Sequence, residues 1–182
     1  MARQAGVGVG TAYRHFANKH ELAAAIFAEE VAGIAEFATT ALDAEDPWTG
    51  LVQFLERTLQ AQTVNRGLRE VLMGAHDASQ EERAHDLLSG PIVALVERAQ
   101  AAGTVRKDAD ATDLGMMILM LCVVADVAAD ADPQLWRRYL PIMLAGLRPD
   151  GPELPIAALP EDVMRKAMSS HKQRLAKVTA AR

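Results

Sequence analysis

A short segment near the start of the chain combines hydroxyl, cationic and imidazole side chains at helical spacing. If residues 9–16 form a helix, its outward face carries Gly10, Thr11, Arg14 and His15, with Tyr13 at the edge. Hydroxyl and guanidinium groups bind phosphate oxygens, a histidine can contact a base edge, and a glycine allows close approach of the backbone. The segment therefore predicts contact with a nucleic-acid duplex.

The elements around this segment place it where a recognition helix belongs. Residues 2–5 are typical of a helix end, Gly6 of a tight turn, and a break before Lys19 leads into a long helix. A helix, a glycine turn and a short helix form the helix-turn-helix pattern, whose second helix enters the major groove. Lys19 begins the following helix, where free backbone amides also attract phosphate.

The charges are distributed unevenly along the chain. The net charge is -5, yet residues 1–20 contain three cations and no acidic side chain, and residues 161–182 carry six cations against two acids. Basic ends on an acidic body suit a protein that contacts an anion with one part only.

Composition predicts an all-helical protein of the cytoplasm. Half of the residues are hydrophobic and only 4% are aromatic, with alanine, leucine, methionine and valine abundant. The single cysteine, Cys122, excludes an intrachain disulfide and suits a reducing compartment; its apolar flanks indicate packing and not redox sensing. The apolar stretch 114–129 is interrupted by Asp126 and is too short to span a bilayer. No secretion signal opens the sequence.

Capping residues and glycine or proline breaks predict the helix boundaries. We expect helices over 19–43, from 47 to a break at 65–67, on to about 76, and over 79–102, 112–130 and 133–147, with a last helix from 161. Gly90-Pro91 must kink or split the helix that contains it. Four of the eight prolines fall in residues 148–160, which predicts an extended arm.

Apolar spacing assigns a buried side to the long helix and a stripe to the tail. The side of the helix 19–43 predicted to be buried consists of Leu22, Ile26, Val31, Ile34, Phe37 and Leu42. The predicted tail stripe consists of Met164, Met168, His171, Leu175 and Val178. A docked tail helix and a frayed one both remain open.

The run from Ala2 to Phe16, followed by Asn18-Lys19-His20-Glu21-Leu22, resembles the signature of the TetR family of transcriptional regulators. The resemblance implies an all-α fold with a helix-turn-helix head, here partial, in residues 1–43. It also implies a ligand-binding and dimerisation domain over residues 44–147, with 148–182 left as an arm and an amphipathic helix. By resemblance, Thr11, Tyr13 and Lys19 hold phosphates, and the residues nearest the bases are Val9, Gly10, Arg14 and His15.

The resemblance begins inside the second helix of the family pattern, where Met1 stands. Family members carry a complete first helix before that point, and that helix normally covers Tyr13, Phe16 and the start of the long helix. We therefore expect the 182-residue chain to bind operator DNA weakly, and the complete head to be needed for tight binding.

The resemblance further implies a homodimer, formed by the helices near 112–130 and 133–147 as a four-helix bundle. The apolar side of the helix 112–130 consists of Leu114, Met117, Leu121 and Ala128. The apolar side of the helix 133–147 consists of Trp136, Leu140, Met143 and Leu147. One of these two sides is expected to meet the partner. Paired heads then reach two half-sites of a palindromic operator.

A cavity for a small ligand is implied among the middle helices. The candidate lining residues, flexible and apolar with a few polar tips, are Phe54, Leu55, Leu72, Met73, His76, Leu87, Met116 and Met120. Each of them could instead simply fill the core. His76, Asp77 and His85 could bind a metal or orient a polar ligand, but they lack ligand spacing and surface or capping roles fit them better.

The sequence favours a repressor that a small, mostly apolar ligand releases from a palindromic operator; activation stays open. No phosphate-binding loop, nucleophile elbow or HExxH motif is present, so we expect no enzyme, no cofactor and no metal site. Two alternatives from other classes remain: a helical carrier of lipids or other small molecules that does not bind DNA, and a purely structural helical dimer. A carrier would not need the basic head, and a structural dimer would not need a cavity.

Overall fold

The described part of the chain contains helices joined by loops, and no strand occurs in it. The computed structural model describes residues 19–64, 78–167 and 170. The helices are α1 (Lys19–Leu42), α2 (Pro47–Val64), α3 (Ala78–Ala101), α4 (Ala111–Val127) and α5 (Trp136–Gly146), followed by a helical run over 161–167. The all-α prediction is confirmed for these residues.

Side-chain caps set the starts of α2 and α4. Asp46 accepts hydrogen bonds from the Thr49 amide at 3.0 Å and the Thr49 hydroxyl at 2.6 Å, and these bonds lower the pKa of the Asp46 carboxyl. The start predicted at residue 47 is confirmed. Asp110 and Asp113 form a reciprocal capping box, so α4 begins one residue before the predicted Thr112.

The prediction was that Gly90-Pro91 kinks or splits its helix. The split is wrong, because α3 is a single helix from Ala78 to Ala101, and the kink stays a prediction. Pro91 still lacks an amide for the carbonyl four residues earlier. Gly90 has no Cβ, so the clash between the proline ring and the preceding residue is reduced. The helix ends as predicted at Gly103, whose φ of 69° suits a left-handed terminal position.

The last main helix begins later than predicted. Residues 133–135 form turns, with i to i+3 hydrogen bonds from the Leu135 amide to the Asp132 carbonyl at 3.0 Å and from the Arg138 amide to the Leu135 carbonyl at 3.0 Å. Regular α5 follows from Trp136 and ends at Gly146. Residues 147–160 contain no helix, as the proline content of the arm predicts.

The core forms where α1 and α2 pack with α3, α4 and α5. The α1 side chains buried in this way follow a 4, 3, 4, 3 spacing: Phe27, Val31, Ile34, Ala38 and Ala41. Only Val31 and Ile34 belong to the side predicted from large apolar residues. The other buried positions include two alanines, Ala38 and Ala41, which are at most 3% exposed.

Gly50 is the point of closest approach between α1 and α2. A Cβ added at Gly50 would lie 2.3 Å from the Ala41 carbonyl oxygen and 3.1 Å from the Ala44 Cβ. Both of these atoms belong to the end of α1 and the turn after it. The backbones of the two helices therefore meet without an intervening side chain, and glycine is required there for steric reasons.

Within the described ranges, no helix has both the length and the apolar content needed to cross a membrane.

We predict that Gly50→Ala lowers the free energy of unfolding by about 1–3 kcal/mol, because the new methyl group must push α1 and α2 apart. Urea denaturation followed by circular dichroism measures it. Gly33→Ala is the matched control: Gly33 lies inside α1 with open space at its Cβ position, so the same change should raise stability by up to about 1 kcal/mol. Equal effects at the two positions would contradict the packing argument.

Candidate ligand cleft and its closing segment

A cleft of about 520 Å³ lies among α1, α3, the start of α4 and residues 158–165. This volume falls within the range of small-molecule sites. Its lining residues are Phe27, Ala84, His85, Leu88, Ser89, Ile92, Val93, Asp110, Ala111, Thr112, Gly115, Ala158, Leu159, Pro160, Glu161, Met164 and Arg165. Residues 158–165 span the end of the arm and the start of the last helical run, and they are called the closing segment.

Two apolar walls face each other across this cleft. Leu88 and Ile92, from α3, pack at the edge of the hydrophobic core, and Phe27 of α1 is 93% buried beside them. Leu159 and Met164 supply the opposite wall. A molecule held between these walls would remove apolar surface from water on both sides, which favours an apolar ligand body.

Polar side chains are concentrated where the closing segment meets α3. The His85 Nδ1 lies 3.2 Å from the Glu161 Oε1, and both residues line the cleft. This contact joins α3 to the helical run 161–167. It therefore acts as a clasp that holds the far wall of the cleft in place.

The start of α4 contributes a capped helix end and a hydroxyl. The Asp110 carboxylate accepts a hydrogen bond from the Thr112 amide at 2.9 Å, and the Asp113 carboxylate accepts one from the Asp110 amide at 2.8 Å. The Thr112 amide in the first turn is thus already engaged by a protein carboxylate. The Thr112 Oγ1, by contrast, is buried and has no hydrogen-bond partner among the described residues.

Arg106 anchors the arm to the loop between α3 and α4. Its guanidinium donates to the carbonyl oxygens of Gly146, at 3.2 Å, and Pro152, and it pairs with Asp108 at 2.5 Å. The Leu154 amide donates to the same Asp108 carboxylate at 2.8 Å. The arm is therefore tied to the loop between α3 and α4 before it reaches the cleft.

The Arg106–Asp108 pair also fixes its own ionisation. Hydrogen bonds from the Arg106 guanidinium and the Leu154 amide hold the pKa of the Asp108 carboxyl well below its usual range. The Asp108 side chain in turn raises the pKa of Arg106. Arg106 is a buried cation, and Asp108 supplies the charge partner that such burial requires.

The structure does not gather the predicted ligand-lining residues around this cleft. Phe54 and Leu55 are fully buried in the core, while Leu87 lines a separate groove of about 180 Å³ between α1 and α3. Met116 is half-buried and Met120 is exposed, both on α4. Leu72, Met73 and His76 lie outside the described residues.

Among the residues that line the cleft, only His85 was considered from the sequence as a possible ligand contact. Phe27 lay on the long helix and outside the predicted apolar side, and Leu159 lay in the arm. No local pattern indicates that the arm returns to α3. The glutamate in the clasp begins the predicted last helix, where acidic residues are common for capping reasons alone.

The residues predicted to bind DNA fall almost entirely outside the described part. Val9, Gly10, Thr11, Tyr13, Arg14 and His15 are not described. Lys19 is the first residue of α1, as expected from the break before it.

The exposed apolar surface of α4 and α5 differs from the one predicted. Leu114, Leu121, Trp136 and Leu140 are at most 3% exposed, so the predicted sides pack inside the chain's own core, and the expectation that one of them meets a partner is wrong. The large apolar side chains that are exposed on these helices are Met120, Val123, Val127, Tyr139 and Ile142. We call these five residues the exposed stripe.

Comparisons with known proteins agree on one family. Residues 46–149 match the family described as "Transcriptional regulator SbtR-like, C-terminal domain", and residues 1–26 match "Bacterial regulatory proteins, tetR family". A search of curated proteins found no match.

Solved structures resemble the chain over most of its length. A TetR transcriptional regulator from Streptomyces coelicolor is 28% identical, with a TM-score of 0.63 over 82% of this chain and 86% of that one. A TetR transcription regulatory protein from Mycobacterium vanbaalenii is 30% identical, with a TM-score of 0.59 over 81% of this chain and 80% of that one.

We predict that Arg106→Lys speeds backbone amide exchange in residues 148–160 about tenfold, because lysine cannot replace the several directed bonds of the guanidinium. Hydrogen–deuterium exchange with mass spectrometry measures it. Arg137→Lys, which changes an exposed arginine that contacts Gln60, should leave the arm unaffected.

The anchor also has a defined pH dependence. The folded-state pKa of Asp108 lies below its ordinary value of 3.8, so its contribution is complete above that pH and is lost as the pH falls through the lower folded value. Protection factors in the arm should therefore stay constant from about pH 8 to pH 5. A loss of protection within that window would contradict the assignment.

Proposed function

The chain belongs to the TetR family of bacterial transcriptional regulators, and we propose that it is a repressor that leaves a palindromic operator when a small, mostly apolar ligand binds. Family membership makes the chain a DNA-binding regulator and not an enzyme. The match of residues 1–26 to the family's DNA-binding region is the observation that carries the proposal.

We assign the operator contacts to the acid-free head. Thr11, Tyr13 and Lys19 bind phosphates in this proposal, and Arg14 and His15 approach the base edges. Cationic and hydroxyl groups on one helix face are the chemistry that a duplex requires. Because DNA is the target, the protein acts in the cytoplasm.

The exposed stripe supports the proposal of a homodimer. Val123 is 51% exposed, Val127 85% and Ile142 62%, on two helices that are adjacent in the chain and in contact with each other. Side chains of this kind lose unfavourable contact with water when a second copy covers them. A two-fold dimer would then present two heads to a palindromic site.

The packing of α1 supports release by a ligand. The helix that follows the head contacts both α2 and α3, and its residue Phe27 lines the cleft. A ligand that fits the cleft better when α1 is displaced favours the state in which the heads no longer match the operator. The ligand must bind that state more tightly for the equilibrium to shift.

Selection of duplexes from a random library tests this function. The 182-residue chain is compared with a version that carries the first helix of a family member fused before Met1, which is called the completed version. We expect the completed version to enrich palindromic sites with half-site centres about 34–36 Å apart. If the completed version ignores every duplex, the regulator proposal fails and the carrier without DNA binding replaces it.

Variants of the completed version separate the roles of the residues. Arg14→Ala should relax base preference, whereas Lys19→Ala should weaken binding to all sequences alike and reduce the salt slope by about one.

Val123→Glu combined with Ile142→Glu should give monomers in sedimentation and abolish binding to the operator, because a dimer would bury unpaired charges. Ile156→Glu, at an 80% exposed position in the arm, is the matched control and should retain both.

A further inference from the structure

The cleft has a wall made from the chain's own tail. Leu159, Pro160 and Met164 face α3 across the space, and Glu161 between them reaches His85. We propose that residues 158–165 form one side of the effector site and close it over a neutral, mostly apolar molecule that carries a carbonyl or hydroxyl oxygen. This inference rests on the proposed function and adds the location and chemistry of the effector.

The tail wall, which is the closing segment of residues 158–165, is attached at both ends. Upstream, Arg106 and Asp108 hold the backbone at Pro152 and Leu154. Downstream, the clasp between His85 and Glu161 holds the start of the helical run at 3.2 Å. The segment between the two attachments passes over the cleft, so it forms a defined surface against which a ligand can pack.

The apolar area of the cleft requires a ligand with an apolar body. Phe27, Leu88 and Ile92 line it from α1 and α3, Leu159 and Met164 line it from the tail, and polar side chains are the minority of the lining. A space of about 520 Å³ accommodates a molecule of two or three fused rings or a chain of similar volume.

The charged residues of the lining favour a neutral ligand. The lining contains the acidic residues Asp110 and Glu161 and the cation Arg165, so charges of both signs are present. Asp110 is already engaged in capping α4, Glu161 is engaged with His85, and Arg165 is exposed to solvent. A fully charged ligand would lose its hydration without gaining a buried partner of opposite charge.

The Thr112 hydroxyl accounts for the ligand oxygen. Thr112 lines the cleft, and its buried Oγ1 has no hydrogen-bond partner among the described residues. Leaving a buried hydroxyl unpaired is unfavourable, and a carbonyl or hydroxyl oxygen of a ligand that reaches this atom can accept a hydrogen bond from it. The capping bond at this residue uses the backbone amide, so the side chain is not needed for the cap.

Titration with Prodan, a neutral naphthalene ketone whose fluorescence reports polarity, tests the site. We expect one Prodan per chain with blue-shifted emission. Gly115→Leu should weaken binding at least about tenfold, because Gly115 lines the cleft and has open space at its Cβ position. Gly33→Leu is the matched control, since Gly33 is also a helical glycine with open space but lies outside the cleft.

Two further variants separate the tail wall and the hydroxyl from a general change in stability. Leu159→Asp should weaken Prodan binding about tenfold, whereas Ile156→Asp, in the same arm but outside the cleft, should leave it unchanged. Thr112→Val, which preserves shape, should weaken binding about fivefold. The emission of bound Prodan should also lose the red component that a hydrogen bond to its ketone produces.

Absence of Prodan binding, or binding that Gly115→Leu and Leu159→Asp leave unchanged, would overturn this inference. Such results would not affect the operator selection, which needs no effector. Conversely, a completed head that binds no DNA would remove the regulatory role and leave the Prodan result intact. The two failures are therefore distinguishable.

Discussion

Direct backbone contact between α1 and α2 is the constraint on which the rest of the structure depends. The Ala41 carbonyl lies so close to Gly50 that no side chain fits between them, and Ala38 and Ala41 keep that end of α1 within the core. The carboxyl end of α1 is thereby fixed. Its amino-terminal half, which includes Phe27 and leads to the head, instead lies at the cleft. In this account α1 transmits a displacement at the cleft, because its carboxyl end is held against α2 while its amino-terminal half places Phe27 at the cleft.

Polar interactions hold the arm and the last helical run against α3, beside the cleft. A buried arginine needs a charge partner and several acceptors, and Arg106 finds them in Asp108 and in carbonyls from the end of α5 and the arm. Satisfying this one cation brings the arm back toward α3. The weaker contact between His85 and Glu161 then sets where the last described helical run begins to pack. The Arg106 anchor is the strong attachment and the His85–Glu161 contact is the weak one. Together they position the closing segment and still allow it to move.

Local rules predict much of the fold. Asp46 before a proline, and Gly103 after a run of helix formers, define helix ends through interactions within one turn, so their positions follow from sequence. The prediction failed where a local rule was applied without its neighbour. Pro91 alone predicts a break, but Gly90 has no Cβ for the proline ring to meet, which reduces part of the clash.

The site could not be predicted in the same way, because its residues meet only through the tertiary fold. Phe27 and Leu159 are separated by most of the chain. The arm that contains Leu159 has no apolar periodicity from which its position could be predicted. Large apolar residues also misled the assignment of faces. Leu121 and Trp136 are fully buried within one subunit, while the smaller Val123 and Val127 are exposed on α4. By contrast, the family was predictable from residues 2–22, because a contiguous motif carries it.

Filling of the cleft is the event from which regulation follows in this account. Hydrogen–deuterium exchange of the unaltered protein, with and without saturating Prodan, observes it along the whole chain. The account predicts slower exchange in residues 84–93 and 158–165 together with a changed rate in residues 19–30, the part of α1 nearest the head. Slower exchange confined to residues 52–59 and 116–123, or no change in α1 when the cleft is occupied, would contradict it.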